Sequence, residues 1–367
     1  MTESTKDLSI ISYLIRLQQS FAFYRLPEQK KLCFLTQTTG KPEALSDMSS
    51  IGNKMGFILA PFHITKECPI WRIRPDYVDT DFPLKFIEER ASNEMQANET
   101  KPSTAAHKNE FNRYASCFHH FMEPLQKGVY DKLVLSRRVV YPADSNFSLP
   151  HAFYEACLRY THSYVYICYT PQTGAWLGST PEVLLSGEGE EWNTVALAGT
   201  MSLENGLLPR KWSNKNKEEQ RYVADYIRKQ LISLDIIPEE KGPYPAYAGA
   251  LSHLKTDFRF RADATRIGEL LKLLHPTPAV CGLPKEKAYR FIRDNEKYDR
   301  CYYSGFVGML NPEGKTDLYV NLRCLNDRKT ELALYAGGGI LPASELEDEW
   351  QETEKKLQTM KQLLSVR

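Results

Sequence analysis

The chain has 367 residues, of which 42% are hydrophobic, so it can bury a large core in one big domain or in two smaller ones. Its 47 basic and 46 acidic residues nearly balance, without a basic stripe or an acidic tail, which argues against nucleic acid and anionic membrane surfaces as partners. The N-terminus lacks the pattern of a secretory signal, no segment approaches the roughly 18 apolar residues of a membrane-spanning helix, and the eight cysteines include no CxxC pair. These features predict a cytoplasmic protein with reduced thiols.

The first third of the chain combines helices with short strands. Apolar residues repeat at helical spacing over 8–27, and short apolar runs at 31–35 and 56–60 are typical of strands. The stretch 91–108 is polar and has almost no large apolar residue, which predicts an exposed loop or linker. A helix is expected at roughly 110–124.

The rest of the chain mixes strands and helices without a regular order. Lys132–Val140 alternates strongly between apolar and polar residues, which indicates a strand. We expect further strands at 163–169, 182–186, 317–325 and 331–336, and helices at 151–159, 217–233, 265–274, 285–292 and 345–364. Because there is neither regular βαβ alternation nor an internal repeat, the pattern predicts an α+β fold with antiparallel sheets, in a single large unit.

Common catalytic signatures are missing: there is no P-loop, no GxGxxG after a strand, no HExxH and no GxSxG. The run Gly337–Gly339 follows a predicted strand and could face a phosphate, but three glycines alone are weak evidence. The pair His119–His120 is more typical of packed or surface side chains than of a metal site, because adjacent helical residues point in different directions.

Two predicted helices carry carboxylates on or beside their apolar faces. Glu219 lies on the buried side of the helix at 217–233, and the apolar stripe of the last helix continues back to Glu349, with Glu352 and Lys356 along its edge. Carboxylates in such positions cost free energy unless a cation compensates them. One interpretation is a solvated helix end or a salt bridge, and the other is a pair of carboxylates from two helices that holds Mg²⁺.

Two further charged residues stand where strands begin. Lys132 opens the segment KLVLSR, and Glu182 follows a Gly-Ser-Thr-Pro turn into Val-Leu-Leu. Charged residues at strand starts are commonly just exposed ends, so neither residue indicates catalysis by itself.

Nine segments, taken in order, carry a family resemblance. They are KLVLSR (132–137), LGSTPEVLL (177–185), ALAGT (196–200), the KxKEE helix around Glu219, LHPTPAVCGLP (274–284), YDRCYYSGFVG (298–308), NLRC (321–324), YAGGGILPAS (335–344) and EWQETEKKL (349–357). Together they resemble the chorismate-utilising enzymes, which include isochorismate, salicylate, anthranilate and aminodeoxychorismate synthases. The resemblance covers about 111–367, and 1–110 match only loosely. It implies large antiparallel sheets in a sandwich-like core with helices packed outside, and 1–110 would be the N-terminal part of that one compact unit.

Two positions in the resemblance indicate the reaction. A lysine that opens the KLVLSR segment is typical of members whose nucleophile is water, and Lys132 stands there. Aminodeoxychorismate synthases carry a nucleophilic lysine within PIKGT, where this chain has Ala198. The resemblance therefore implies an isochorismate synthase, an isomerase that adds water at C2 of chorismate and removes the C4 hydroxyl.

The resemblance also implies the acid, the base and the metal ligands. Lys132 resembles the general base that takes a proton from water, and Glu182 resembles the general acid that protonates the departing hydroxyl. Glu219 and Glu352 match Mg²⁺ ligands, with Glu349 close by and acting through water. The metal would hold the ring carboxylate of the substrate, and burial would favour the neutral forms of both the acid and the base.

Substrate binding is assigned by the same resemblance. Arg323 and Lys356 look like partners for the carboxylates of chorismate, assisted by backbone N–H groups near Gly338–Ile340. The same site would include four other residues, namely Gly199, Thr200, Gly339 and His275. Two positions depart from the usual family pattern, since Gln220 replaces a common histidine and Gly338 replaces a common alanine.

Alternatives remain open at this point. A salicylate synthase carries the same lysine and LAGT segment and goes on to eliminate pyruvate from isochorismate. An anthranilate synthase would need ammonia and usually a glutaminase partner, against which Lys132 argues, and a catalytically inactive chorismate-binding protein is a third reading. The resemblance favours a monomer without an obligatory glutaminase subunit, and it leaves open whether the product feeds menaquinone or siderophore biosynthesis.

Overall fold

The structure is a computed structural model that describes residues 7–52, 54–85, 104–143, 147–249 and 251–364. Within these residues the chain forms two nine-stranded sheets, in which every pair of neighbouring strands is antiparallel.

The first sheet contains strands from both ends of the chain. Its spatial order is β14-β7-β18-β17-β9-β8-β1-β2-β6. Its strands are β1 (Phe21–Arg25), β2 (Leu32–Thr36), β6 (Tyr77–Phe82), β7 (Lys132–Pro142), β8 (Tyr164–Thr170), β9 (Gly174–Thr180), β14 (Gly282–Leu283), β17 (Cys324–Asp327) and β18 (Glu331–Ile340).

The second sheet has the spatial order β12-β13-β11-β10-β16-β15-β4-β5-β3. Its strands are β3 (Glu43–Leu45), β4 (Gly56–Ala60), β5 (Ile70–Ile73), β10 (Val183–Glu188), β11 (Glu191–Ser202), β12 (Glu239–Ala248), β13 (Leu251–Arg261), β15 (Phe306–Leu310) and β16 (Thr316–Val320). Strands from the first 110 residues therefore pair with later strands in both sheets: β1 pairs with β8, and β4 pairs with β15.

Helices cover the outer faces of the two sheets. They are α1 (Ile10–Arg16), α2 (Thr104–Gln126), α3 (Leu149–Arg159), α4 (Asn214–Ile232), α5 (Ile267–Leu274), α6 (Lys285–Asn295) and α7 (Leu346–Lys361). Among the described residues, no helix is long and apolar enough to cross a membrane.

The hydrophobic core is layered in the same way. Aromatic residues of both sheets, such as Tyr166, Trp176 and Tyr319, fill the space between the sheets. Apolar residues of α1, α3 and α7 pack on the outside of the first sheet, and those of α4 and α5 pack on the outside of the second. This arrangement confirms the predicted α+β sandwich with external helices.

Two predictions in the first 110 residues, the helix over 8–27 and the end of the loop over 91–108, were wrong. The helix expected over 8–27 ends at Arg16, and Gln18 has a positive φ of 54°. The residues that follow form β1, which is buried on both faces, so its continuous apolar run belongs to a strand in the core. Of the predicted loop at 91–108, residues 91–103 lie outside the described residues, and 104–108 instead begin α2, consistent with the helix-forming alanines there.

The strand predicted at 317–325 is also divided. Its first part is β16 in the second sheet and its last part is β17 in the first sheet. Between them the backbone turns at Arg323, whose φ of 45° lies in the left-handed region. The chain thus crosses from one sheet to the other at this arginine.

Candidate active site

A polar cavity opens where the two sheets and the helices α4 and α7 approach one another. It has about 640 Å³ of empty space, counting the part open to solvent. Eight of the predicted site residues line it, namely Glu182, Gly199, Thr200, Glu219, Arg323, Gly338, Gly339 and Lys356.

The glycine run of β18 lets functional side chains approach the backbone. β18 pairs in unbroken register with β7, so that Gly339 lies opposite Val134, two residues from Lys132. A Cβ atom at Gly339 would collide with the Glu219 carboxylate and would lie 2.7 Å from Cε of Lys132. The space for these two side chains therefore depends on the absence of a side chain at this position.

Lys132 and Glu219 form a buried ion pair beneath this glycine. The Lys132 side chain is fully buried, and its Nζ lies 2.9 Å from Glu219 Oε1. The other carboxylate oxygen, Oε2, accepts a hydrogen bond of 3.2 Å from the backbone N–H of Gly199. Burial alone would raise the pKa of Glu219, but the charge and hydrogen bond of Lys132, together with the charges of Lys356 and Lys215, hold that pKa below its ordinary value.

Glu182 is a buried carboxyl group at the same cavity. Its side chain is only 2% exposed, and Thr277 Oγ donates a hydrogen bond of 3.1 Å to Oε1. Burial raises the pKa of Glu182 from an ordinary value of 4.5 to about 7, although the hydrogen bond from Thr277 and the charge of Lys132 act in the opposite direction. A substantial fraction of this group is therefore protonated at neutral pH.

Helix α7 brings the two remaining glutamates to the glycine run. Glu352 Oε1 accepts hydrogen bonds from Lys356 Nζ at 2.7 Å and from Thr200 Oγ1 at 3.3 Å. A Cβ atom at Gly338 would lie 3.2 Å from Glu349 Oε2 and 3.5 Å from Glu352 Oε1. Both carboxylates thus face the backbone at this glycine.

Glu349 is almost completely buried, and only one of its two carboxylate oxygens has partners among the described residues. Its Oε1 accepts a hydrogen bond of 2.6 Å from Ser344 Oγ and forms an ion pair with Lys215, a residue that the sequence analysis did not single out. Its Oε2 has no hydrogen-bond partner among the described residues. Burial raises the pKa of Glu349, and the neighbouring Glu352 raises it further.

The positions of these carboxylate oxygens can be compared with those that a bound metal ion requires. In the part of the chain that the structure describes, no group of three or more His, Cys, Asp and Glu side chains is arranged to hold one. However, Mg²⁺ is usually bound by one or two carboxylates and completes its shell with water or substrate oxygens. An unpartnered buried carboxylate oxygen beside a second carboxylate, over a residue without a side chain, fits such a hard cation.

Arg323 reaches the cavity from the crossover between the sheets and is held by a histidine that the sequence analysis missed. One guanidinium nitrogen donates to the Ala248 carbonyl, and Nη2 donates to His253 Nε2 at 2.6 Å. Burial and the charge of Arg323 hold the pKa of His253 well below its ordinary value, so this ring is neutral. Since Nε2 accepts, Nδ1 carries the hydrogen and donates it to the Gly199 carbonyl at 3.0 Å.

Lys356 and the segment around Tyr303 complete the wall of the polar cavity. Lys356 Nζ donates a hydrogen bond of 2.8 Å to the Gly337 carbonyl, in addition to its bond with Glu352. Tyr303 and Ser304 also line the cavity. They belong to the YDRCYYSGFVG segment that carried the resemblance, but the sequence analysis gave neither a role.

Lys132, Glu349 and Glu352 lie beside residues that line the cavity, whereas the predicted site residue His275 packs elsewhere. It lies in the core, where Nε2 donates a hydrogen bond of 3.2 Å to the Pro61 carbonyl and the ring packs edge-on against Phe306. Burial lowers the pKa of His275 to about 3. A neutral, packed histidine supports the loop that carries Thr277.

The family model described as "Chorismate binding enzyme" matches residues 68–365, so it begins well before residue 111, where the resemblance was expected to begin. The chain belongs to the chorismate-binding enzymes.

Two curated relatives of this chorismate-binding enzyme are isochorismate synthases by name. It is 31% identical over 242 residues to isochorismate synthase EntC of Escherichia coli (strain K12), an alignment that covers 63% of this chain and only 61% of EntC. It is 28% identical over 358 residues to isochorismate synthase DhbC of Bacillus subtilis (strain 168), which covers 88% of this chain and 84% of DhbC.

A solved structure confirms the fold of this family member. The structure of MenF, the menaquinone-specific isochorismate synthase from Escherichia coli, superposes with a TM-score of 0.77 and covers 94% of this chain and 89% of MenF. Sequence identity over this superposition is 18%, so the match shows the fold alone.

Proposed function

We propose that this chain is an isochorismate synthase, which adds water at C2 of chorismate and releases the C4 hydroxyl. The observation that carries the proposal is that a protonatable carboxyl group, Glu182, lines one cavity together with Arg323 and Lys356, and that the buried Lys132 is ion-paired with Glu219, which lines the same cavity. The names of the relatives support the same reaction.

The two proton carriers have complementary tasks. Glu182 in its protonated form can deliver a proton to the departing hydroxyl, which would otherwise leave as hydroxide. Lys132, whose Nζ is ion-paired with Glu219, is the group proposed to accept a proton from water.

The cationic side chains suit a substrate with two carboxylates. Arg323 uses part of its guanidinium to bond with Ala248 and His253, and its other N–H groups remain for a substrate carboxylate. Lys356, at the opposite end of the glycine run from Lys132, adds a second positive charge. Hydrogen bonds to a carboxylate from both groups would fix the orientation of the ring.

We further propose that Mg²⁺ is the cofactor and that Glu219 and Glu352 hold it, with Glu349 acting through water. Mg²⁺ would supply the positive charge that binds and neutralises the ring carboxylate. The support is that Glu349 and Glu352 face Gly338 while Glu219 faces the neighbouring Gly339, and that one oxygen of Glu349 has no hydrogen-bond partner among the described residues. In the structure each of these glutamates is paired with a lysine, namely Lys132, Lys215 or Lys356, so a bound cation would share the carboxylates with these side chains.

The decisive experiment is product identification. Purified protein is incubated with chorismate and Mg²⁺, without ammonia or a partner protein, and the products are separated and identified by mass. We expect isochorismate without pyruvate. Pyruvate together with salicylate would refute the proposal in favour of a salicylate synthase, and calorimetric binding of chorismate without turnover would indicate a binding protein.

We also infer that the protein acts in the cytoplasm as a monomer and needs no glutaminase subunit. All eight cysteines are free thiols, as expected in a reducing compartment. Light scattering of the purified protein tests the monomer, and full turnover by the isolated chain tests the independence from a glutaminase.

A further inference from the structure

Two cysteines meet at the edge of a second cavity, which is separate from the active site. This cavity has about 1190 Å³ of empty space, counting the part open to solvent, and both Cys68 and Cys301 line it. The two thiols are hydrogen-bonded to each other, although 233 positions separate the residues in the sequence. Cys68 is buried and Cys301 is partly exposed, so a small solute in the cavity can reach the pair through Cys301.

The backbone holds Cys301 in an unusual conformation. Its φ of 48° lies in the left-handed region, which costs a residue with a side chain about 1 kcal/mol. The Cys301 N–H donates to Asp299 Oδ1 at 2.8 Å, and its carbonyl accepts from the Phe62 N–H at 2.9 Å. The second bond ties this segment to the chain that leads to Cys68, so the surrounding structure keeps the two sulfurs together.

The two thiols differ in acidity. The hydrogen bond from Cys68 holds the pKa of Cys301 below its ordinary value, and the same bond, together with burial, raises the pKa of Cys68. The thiolate is the reactive form of cysteine. Cys301 is therefore the more reactive sulfur, and Cys68 remains a protonated partner within reach.

We propose that Cys301 and Cys68 form a peroxide-sensitive pair that closes reversibly to a disulfide. The Cys301 thiolate attacks one oxygen of hydrogen peroxide, the O–O bond breaks, and the products are a sulfenic acid and hydroxide. Cys68 then attacks the Cys301 sulfur, the S–O bond breaks, and water leaves as the Cys68–Cys301 bond forms. Peroxide takes up the two electrons that the thiols lose, and a dithiol reductant returns them by exchange.

The pair is connected to the active site through the chain. Tyr303 and Ser304, which line the polar cavity, follow Cys301 by two and three residues. Ser304 also has a positive φ, of 61°, and its N–H donates to the Asn321 carbonyl near the crossover. Drawing the Cys301 sulfur into a covalent bond would therefore shift the wall of the active-site cavity.

The bond itself is tested on the full chain without any activity assay. The protein is treated with a small excess of hydrogen peroxide, its remaining thiols are alkylated, and peptides are identified by mass. We expect a linked Cys68–Cys301 peptide, while Cys33 and Cys117, which are also partly exposed, stay alkylated. Absence of the linked peptide, or equally fast oxidation of these two control cysteines, would overturn the proposal.

Single variants separate the two steps. In Cys68→Ser, the sulfenic acid of Cys301 cannot be resolved and should be trapped by dimedone, whereas in Cys301→Ser the thiol of Cys68 should stay reduced. No dimedone adduct in the first variant would contradict the assignment of the reactive sulfur. Cys301→Gly, which relaxes the backbone, and Cys117→Ser serve as folding controls.

The coupling to the cavity has its own measurement. Amide hydrogen exchange across 302–305 should change on peroxide treatment and return with dithiothreitol, and it should not respond in Cys301→Gly. Unchanged exchange in a sample that contains the disulfide would overturn the coupling. Neither result depends on whether the protein turns over chorismate.

Discussion

Replacing Glu182 by glutamine should make the protein more stable at alkaline pH while it abolishes the proposed acid. The folded protein raises the pKa of Glu182 from 4.5 to about 7, so between these pH values the folded form keeps a proton that the unfolded form has lost. Stability from this group is fully present below about pH 4.5 and is lost as the pH rises through about 7.

The size of the effect follows from the two pKa values. The difference between 4.5 and about 7, at about 1.4 kcal/mol for each pH unit, corresponds to about 3 kcal/mol. The side chain is 2% exposed, so solvent screening does not reduce this figure much. Glutamine has nearly the same shape and can still accept the hydrogen bond from Thr277, so little other free energy changes.

The assay is urea unfolding of the wild type and Glu182→Gln at pH 4.5 and pH 8. The stability of the variant relative to the wild type should increase by about 3 kcal/mol between the two pH values. Glu188→Gln, at the exposed far end of the strand that follows Glu182, is the matched control and should show no such change. A relative stability that is equal at both pH values would refute the reasoning. In wild-type protein, turnover should decline as the pH rises through about 7, and this decline should be missing from the residual activity of the variant.

The remaining predictions concern the other groups at the cavity. Lys132→Ala should lower kcat by about 10²–10⁴-fold with chorismate affinity nearly intact, as expected for a general base, and an unchanged kcat would mean another base. EDTA should abolish activity and Mg²⁺ should restore it, with Glu352→Gln requiring much more Mg²⁺; a normal requirement in a Mg²⁺ titration would exclude the ligand role. Arg323→Lys keeps the charge but loses the planar fork, so kcat/KM should fall by a factor that corresponds to at least about 1.5 kcal/mol. An unaltered kcat/KM would make this arginine structural.

Local sequence patterns were sufficient to predict the strands and helices that bury only one face. The strand at Lys132 and the last helix have clear periodicity, and the helix at Glu219 was expected to within three residues at its start. Because such periodicity indicates which face is buried, it also indicated that glutamates of two helices lie on or beside buried faces, where either a salt bridge or a bound cation would compensate them. The roles of these residues still depended on the resemblance.

Other features depend on contacts that are distant in the sequence. The run at Phe21 is buried on both faces, so it has no alternation that distinguishes a strand from a helix. The chain changes sheets at Arg323 within an apolar stretch that reads as one strand. His253 lies in a long strand, and its function follows from Arg323, which is 70 residues away. No local signal identifies such a partner.

The active-site cavity owes part of its space to the glycine run of β18, where three successive residues of a regular strand have no side chain. The pairing of β18 with β7 continues without a register shift from residue 331 to residue 340, so this space needs no distortion of the backbone. Each position in 337–339 faces different groups: the first faces Tyr303, the second the carboxylates of α7, and the third Lys132 and Glu219. The three glycines are thus not equivalent: a methyl group at the second position would press only on the carboxylates of α7, whereas one at the third would displace the Lys132–Glu219 pair.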